Sequence, residues 1–345
     1  MKRTTKYRPH SVAREDRADG AILLRSNHTP GPVALRTGDW LNRWSEEAPD
    51  RTFLAERSGA GWREETYRAM HEKVRAVAAS LLGRGLNSET PIAVLSGNGI
   101  DHGVMALACQ YAGIPVVPLA EQYSLITEAH GLLDELFELL KPKLVYLSDA
   151  ERFGGALALD CLRDVEVVAT ATGQTNATPF DALLKGDMSI DVDAAFGAVS
   201  PDTIAKILMT SGSTSAPKGE LTTHRMLCVN QMQIAHALPY LSERPHRIVD
   251  WLPWNHVFGG SHNFNMMLAN GGSLYIDDGR PTKQDFGRTL ENLGMVAGTL
   301  ALNVPIAFVM LLDAFKKDAT LKRRFFENLD LVFYAAASLP AEVWN

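Results

Sequence analysis

The sequence predicts an α/β fold in which two helix-covered, mostly parallel sheets pack together. Three observations carry this. From residue 91 onward, short apolar runs alternate with stretches of helical periodicity. The runs are continuous rather than alternating, as expected of strands buried on both faces, and strand–helix alternation implies a parallel sheet covered by helices. The polar, acidic stretch 173–200 splits the alternation in two, as a connection between sub-sheets.

Taken in order, residues 1–37 read as an irregular arm with a short strand at 21–25. A helix runs from Trp40 to Ala48 and stops at Pro49. A second covers 66–82, with Met70, Val74, Val77, Ala78 and Leu81 on one stripe and Gly83 and Gly85 ending it. The first sub-sheet takes residues of about 85–200: strands at 91–96, 116–119, 143–147 and 165–169, with helices at 104–112 and 132–140. The second takes 201–345: strands at 204–209, 248–252, 272–276, 295–300 and 331–334. Its helices lie at 225–238, 262–268 and 283–293, and after Pro305. At 338–342 a hydroxyl, a Pro and an acidic residue read as a helix start. The sequence stops at Asn345, within the next turn, so the expectation is of a chain cut short.

The 345 residues are about two domains' worth at roughly 100–200 residues each. Lys and Arg number 34 against 40 Asp and Glu, a net charge of −6, which argues against a nucleic-acid binder. Cys109, Cys161 and Cys228 form no CxxC pair, so a disulfide framework or Cys-ligated zinc is not expected and a reducing cytoplasm fits. The basic N-terminus has no apolar core behind it and is not read as a secretory signal. The longest apolar stretch, 296–312, is interrupted by Asn303 and Pro305 and falls short of the ~20 residues a spanning helix needs. A soluble protein with no membrane partner is expected. His256 and His262 lack carboxylate company and no HExxH occurs, so no intrinsic metal site is expected. The basic group Lys316, Lys317, Lys322, Arg323 and Arg324 reads as a solvated face.

The sharpest motif is TSGSTSAPKG at 210–219, directly after an apolar strand. Thr210, Ser211, Ser213, Thr214 and Ser215 carry hydroxyls, Gly212 and Gly219 free the backbone, and Lys218 supplies charge. Such a loop can wrap an oligophosphate. It is not a Walker A loop, because Pro217 precedes Lys218 and Gly219 follows it. Ser215-Ala216-Pro217-Lys218 matches SxxK, but Pro217 sits inside the helical turn that motif needs, and no KTG accompanies it. No GxGxxG is present. On composition alone, a Ser/Thr/Gly surface loop remains an open alternative.

TSGSTSAPKG resembles the phosphate-binding signature of adenylate-forming enzymes, (S/T)SG(S/T)TGxPKG, with Ser215 where Gly is usual. The resemblance extends to ALACQYAGIPVVPL at 106–119, to WLPWNHVFGG at 251–260 (similar to LPxxHxxG), and to YAAASLP at 334–340. The last resembles the family's adenine-binding GGAPL-type segment, with Ala335 and Ala336 where Gly is common. More narrowly, 49–56 (PDRTFLAE), Tyr123-Ser124-Leu125 and 250–260 resemble bacterial feruloyl-CoA synthetases.

The resemblance implies an acid–CoA ligase for a hydroxycinnamate such as ferulate, using ATP, Mg²⁺ and coenzyme A. A carboxylate attacks the α-phosphate, pyrophosphate leaves, and a thiol then displaces AMP from the acyl-adenylate. Charge concentrates on carboxylate and phosphates, so preorganised donors and cations dominate such chemistry. By position, Thr210, Ser211, Gly212, Ser213, Thr214 and Lys218 hold the β- and γ-phosphates. His256 orients carboxylate and α-phosphate, although a lone His is more often structural. Trp254, Phe258, Gly259 and Phe264 are the expected acyl-pocket residues, with plain core packing the alternative for the aromatics. Ala336, Ala337 and Ser338 line the adenine. After Ala337 the family has a Glu for Mg²⁺, an Asp for the ribose and a C-terminal domain with a catalytic Lys. None occurs in these 345 residues, which therefore read as an incomplete N-terminal region, inactive alone. The rivals are a CoA ligase for another acyl chain and a non-catalytic nucleotide- or partner-binding protein.

Overall fold

In the computed structural model, residues 7–187, 189–210 and 218–344 are described. The first strands are β1 (Val12–Asp16), β2 (Ile22–Ser26), β3 (Thr52–Ser58), β4 (Gly61–Thr66), β5 (Ile92–Val94) and β6 (Val116–Pro118). Next come β7 (Leu144–Asp149), β8 (Glu166–Ala171), β9 (Thr178–Pro179), β10 (Ile204–Thr210) and β11 (Lys218–Thr223). The last are β12 (Arg247–Asp250), β13 (Ser273–Ile276), β14 (Leu300–Asn303) and β15 (Leu331–Tyr334).

Seven strands form one sheet in the order β11-β10-β6-β5-β7-β8-β9, parallel except where β11 turns back along β10. Four form a second, β12-β13-β3-β4, parallel except for the β3–β4 hairpin. β14 and β15 pair in parallel as a third, two-stranded unit. The architecture is α/β with mostly parallel sheets, as the apolar runs implied.

The side-chain alternation of β5 shows how the layers stack. Ile92 and Val94 face one core, together with Leu54 of β3, Leu274 of β13 and the helices Tyr67–Gly83 and Ile100–Tyr111. Ala93 faces the other way, onto Leu133, Leu136 and Phe137 of the helix His130–Leu140. The two large sheets therefore share a helical layer. Tyr67 ties that layer to the second sheet: its buried hydroxyl donates to the Gly272 carbonyl at 2.8 Å and lies 3.1 Å from that of Met267.

Several expectations need correction. The sub-sheet boundary at 201 falls inside the seven-stranded sheet, because Lys206 of β10 pairs with Val116 of β6. Sheet order is set by which apolar faces meet, not by position in the chain. In the arm, the strand expected at 21–25 is β2, and it pairs with β1 in a hairpin; β1, wholly exposed, gave no apolar signal. The stretch 173–200 is more than a connection. Its helices Phe180–Leu183 and Val192–Ala198 bury Phe180, Leu183, Val192 and Phe196 in the shared core. The strand expected at 295–300 is β14, displaced because the helix Phe286–Met295 runs on to 295. The basic group ends on a helix, Ala319–Phe326, capped by Asp318, whose Oδ1 accepts from the amides of Thr320 and Leu321 at 2.9 Å each. Among the described residues no helix is long and apolar enough to cross a membrane.

Candidate active site

The phosphate motif begins on β10 and ends on β11. Thr210 and Lys218 are cross-strand partners, and the Thr210 hydroxyl lies 3.4 Å from the Lys218 carbonyl. Lys218 is exposed. Ser211, Gly212, Ser213 and Thr214, with the rest of 211–217, lie outside the described residues.

The His256 segment leaves β12 through a turn and enters a π-helix, Val257–Asn263. His256 is exposed and caps it: its Nδ1 accepts the Phe258 amide at 3.1 Å. A ring nitrogen that accepts carries no proton, so Nε2 is the donor of the neutral ring. Gly259 and Gly260 are needed for close approach. A Cβ on Gly259 would meet the Pro253 carbonyl at 2.5 Å, and one on Gly260 would collide with that of Trp254.

A π-helix is rare and is frequently found at functional sites. Here buried polar side chains from three elements hold it. Lys206 of β10 donates to the Gly260 carbonyl at 3.0 Å. Gln231, on the helix His224–Ala237, donates to the Ser261 and His262 carbonyls at 3.1 and 3.3 Å. Asp250, ending β12, accepts from Asn263 Nδ2 at 2.8 Å. Burial pushes the Asp250 carboxyl up to about 7, against its bonds to Asn263 and the Leu252 amide. Burial holds the Lys206 ammonium down to about 7.

The same π-helix meets β15, the strand that leads into 334–340. Phe333 of β15 stacks on His262, with ring centroids 5.6 Å apart and planes 13° apart, and meets Phe258 edge-on at 5.9 Å. Asn303 joins the pieces further: its side chain accepts from Trp251 Nε1 at 3.0 Å and its carbonyl from the Ala335 amide at 3.4 Å. Ala336, Ala337 and Ser338 follow directly and are exposed. Ala336 has φ of +80°, a conformation that favours glycine.

The proposed acyl-pocket aromatics divide. Phe258 packs beneath β15, as described. Phe264 is in the core, edge-on to Phe53 at 5.5 Å and to Trp254 at 4.8 Å. Trp254 also packs on His102 at 5.0 Å and is among the residues lining a cavity of about 410 Å³. Asn98, Glu121, Arg152, Asp278 and Arg280 line it too. This cavity lies past the C-terminal ends of β5, β6, β12 and β13, the usual ligand side of open α/β sheets. Asn98 fixes the His256 approach, accepting from the Trp254 amide at 3.0 Å and donating to the Leu252 carbonyl at 2.9 Å.

The motif reading missed Asn98, Lys206, Gln231, Asp250 and Asn263. Only Lys206 and Asp250 left a signal, each being a charge inside an apolar run.

The AMP-binding enzyme family matches residues 41–345, most of the chain. The chain belongs to the AMP-binding enzyme family. Among relatives, a methyl-dioxo-octahydroindenyl-propanoyl:CoA ligase of Rhodococcus jostii is 28% identical over 224 residues, covering 61% of this chain and 42% of that protein. A long-chain-fatty-acid–CoA ligase of Mus musculus is 24% identical over 319 residues, covering 89% of this chain and 47% of that one. The chain thus spans less than half the length of either. Among solved structures, a luciferase-like enzyme of the Zophobas morio mealworm superposes with a TM-score of 0.71 at 17% identity, covering 92% of this chain and 70% of that one. MatB from Rhodopseudomonas palustris gives 0.63 at 22% identity, covering 90% and 56%. These likenesses show that the AMP-binding chain has the adenylate-forming fold.

Proposed function

We propose that this AMP-binding chain is the nucleotide- and acid-binding part of an ATP-dependent carboxylic acid:CoA ligase. Its acid is a hydroxycinnamate such as ferulate, and its setting is the cytoplasm. The observation that carries the reading is convergence. The His256 segment is stacked on the strand that leads to Ala336 and hydrogen-bonded to the strand that leads to Thr210.

In this reading the acid's carboxylate oxygen attacks the α-phosphorus of ATP, and the bond to the β,γ-pyrophosphate breaks. The CoA sulfur then attacks the acyl carbon and AMP leaves. Thr210, Ser211, Gly212, Ser213, Thr214 and Lys218 neutralise and orient the β- and γ-phosphates. His256, as an Nε2 donor, orients the carboxylate against the α-phosphate. Ala336, Ala337 and Ser338 take the adenine, which needs backbone and small side chains. The Mg²⁺ this chemistry uses would arrive on the nucleotide. Phe258 and Gly259 border the acyl group, with Trp254 behind them, while Phe264 supports Trp254. The rival is a ligase for another acyl chain, favoured by the fatty-acid and octahydroindenyl-propanoyl names of the relatives. The 345 residues alone are expected to bind substrates without sustaining full turnover.

Calorimetry on the 345-residue chain tests this. It should bind ATP, and then ferulate in preference to palmitate. Lys218→Ala should weaken ATP at least tenfold. Binding of palmitate but not ferulate would sink the aromatic assignment, and an unchanged ATP affinity in Lys218→Ala would remove the lysine's role. Steady feruloyl-CoA production by the 345-residue chain would contradict the expectation that it does not sustain full turnover.

A further inference from the structure

Lys206 lies in the middle of β10, an otherwise largely apolar strand, and is 4% exposed. Among the described residues no carboxylate forms an ion pair with it, and its one hydrogen bond goes to the Gly260 carbonyl at 3.0 Å. The titratable group that feels it from the neighbouring helix Ile100–Tyr111 is His102. Burial takes that ring down to about 4, with Lys206 adding to the effect, so it is neutral at pH 7, and an imidazole could in any case add only positive charge. Burying an ammonium without a carboxylate is costly, and an unbranched apolar side chain of similar length would fill the slot without that cost. The fold alone therefore does not call for a lysine here.

What the lysine touches supplies a reason. The Gly260 carbonyl belongs to the π-helix, and the Gly260 amide donates back to the His256 carbonyl at 2.9 Å. Lys206 thus reaches His256 through a single residue, one whose Cβ-free backbone is required by the Trp254 carbonyl. In the other direction β10 runs four residues on to Thr210, whose register with Lys218 is fixed by the hairpin.

We propose that Lys206 is a positioning residue whose hydrogen bond to Gly260 sets the His256 segment against the strand feeding the phosphate loop. The acid and nucleotide subsites are thereby held in one register. The proposal rests on the reading of this site as an acid- and ATP-binding site. It differs from that reading in assigning the coupling to one buried side chain that need not touch either ligand.

The test is Lys206→Met in the 345-residue chain. The melting temperature should stay nearly level, relief of the buried charge offsetting the hydrogen bond lost at the Gly260 carbonyl. Amide hydrogen exchange across 257–264 should become at least tenfold faster while the core of the seven-stranded sheet is unchanged. Ferulate affinity, measured with ATP present, should fall at least tenfold, and ATP affinity alone by less than threefold. Lys206→Gln, an N–H donor on a shorter stem, should recover part of the exchange protection. Unchanged exchange in Lys206→Met overturns the proposal, as does an even loss of protection and melting temperature throughout the chain. If the Met variant fails to fold, the Gln variant carries the same measurements; failure of both makes Lys206 structural and also overturns it. Should the unsubstituted chain bind no ferulate, the functional reading falls, and the exchange comparison still decides whether Lys206 holds the segment.

Discussion

Ala336 places a side chain where the backbone sits at φ of +80°. For an L-residue a left-handed conformation costs roughly 1–2 kcal/mol, and glycine relieves it while giving back about 0.4–1 kcal/mol of unfolded-chain entropy. Ala336→Gly should therefore stabilise the chain by roughly 0.5–1 kcal/mol, read as a higher urea midpoint at unchanged slope. A lower midpoint would mean that the methyl makes a contact worth more than the strain. The family resemblance had marked this position as one where glycine is common, but the conformation behind that preference is visible only in the fold. The reverse holds for Lys206. Its charge inside an apolar run was plain in the sequence, yet which carbonyl it serves depends on a segment 54 residues away.

At the scale of elements, the strands of the seven-stranded sheet were the easiest to read, because burial on both faces makes continuous apolar runs. β5 and β6 stand within the expected runs, and β7 overlaps its run and extends two residues beyond it. β11 escaped notice, since KGELTT is an exposed edge strand without an apolar face. The π-helix was not foreseen: the helix expected at 262–268 covers only its last two residues, because nothing in apolar spacing marks an i→i+5 turn in seven residues. Its two glycines are the legible trace. Gly260→Ala would drive a methyl into a backbone carbonyl that has little freedom to yield. The expected cost is about 1–3 kcal/mol. Equilibrium denaturation checks it, and a variant as stable as the parent would show that the turn can open.

Across the whole molecule, the α/β class was legible and the partition of strands between sheets was not. Chain order suggested a cut at 201, whereas β10 and β11 complete the first sheet and the early hairpin β3–β4 completes the second. Contacts of this kind depend on matching faces more than 200 residues apart. The Tyr67 hydroxyl is one: it crosses from the shared helix to the Gly272 carbonyl, with Met267's nearby. Tyr67→Phe takes the hydroxyl donor from the buried Gly272 carbonyl, while that of Met267 keeps the Gly272 amide; the loss should cost about 1–3 kcal/mol. Thermal melting measures this, and a loss below ~0.5 kcal/mol would mean another donor replaces it.

The placement of β3 also has a consequence in time. Phe53, Leu54 and Ala55 are fully buried, and β3 pairs on one side with β4 and on the other with β13. During synthesis β4 follows at once, but β13 is some 210 residues behind, or roughly 10–40 s at common translation rates. Throughout that interval the nascent chain carries a finished hairpin with one apolar edge open. The ribosome-bound chain must be kept from pairing that edge with a stranger.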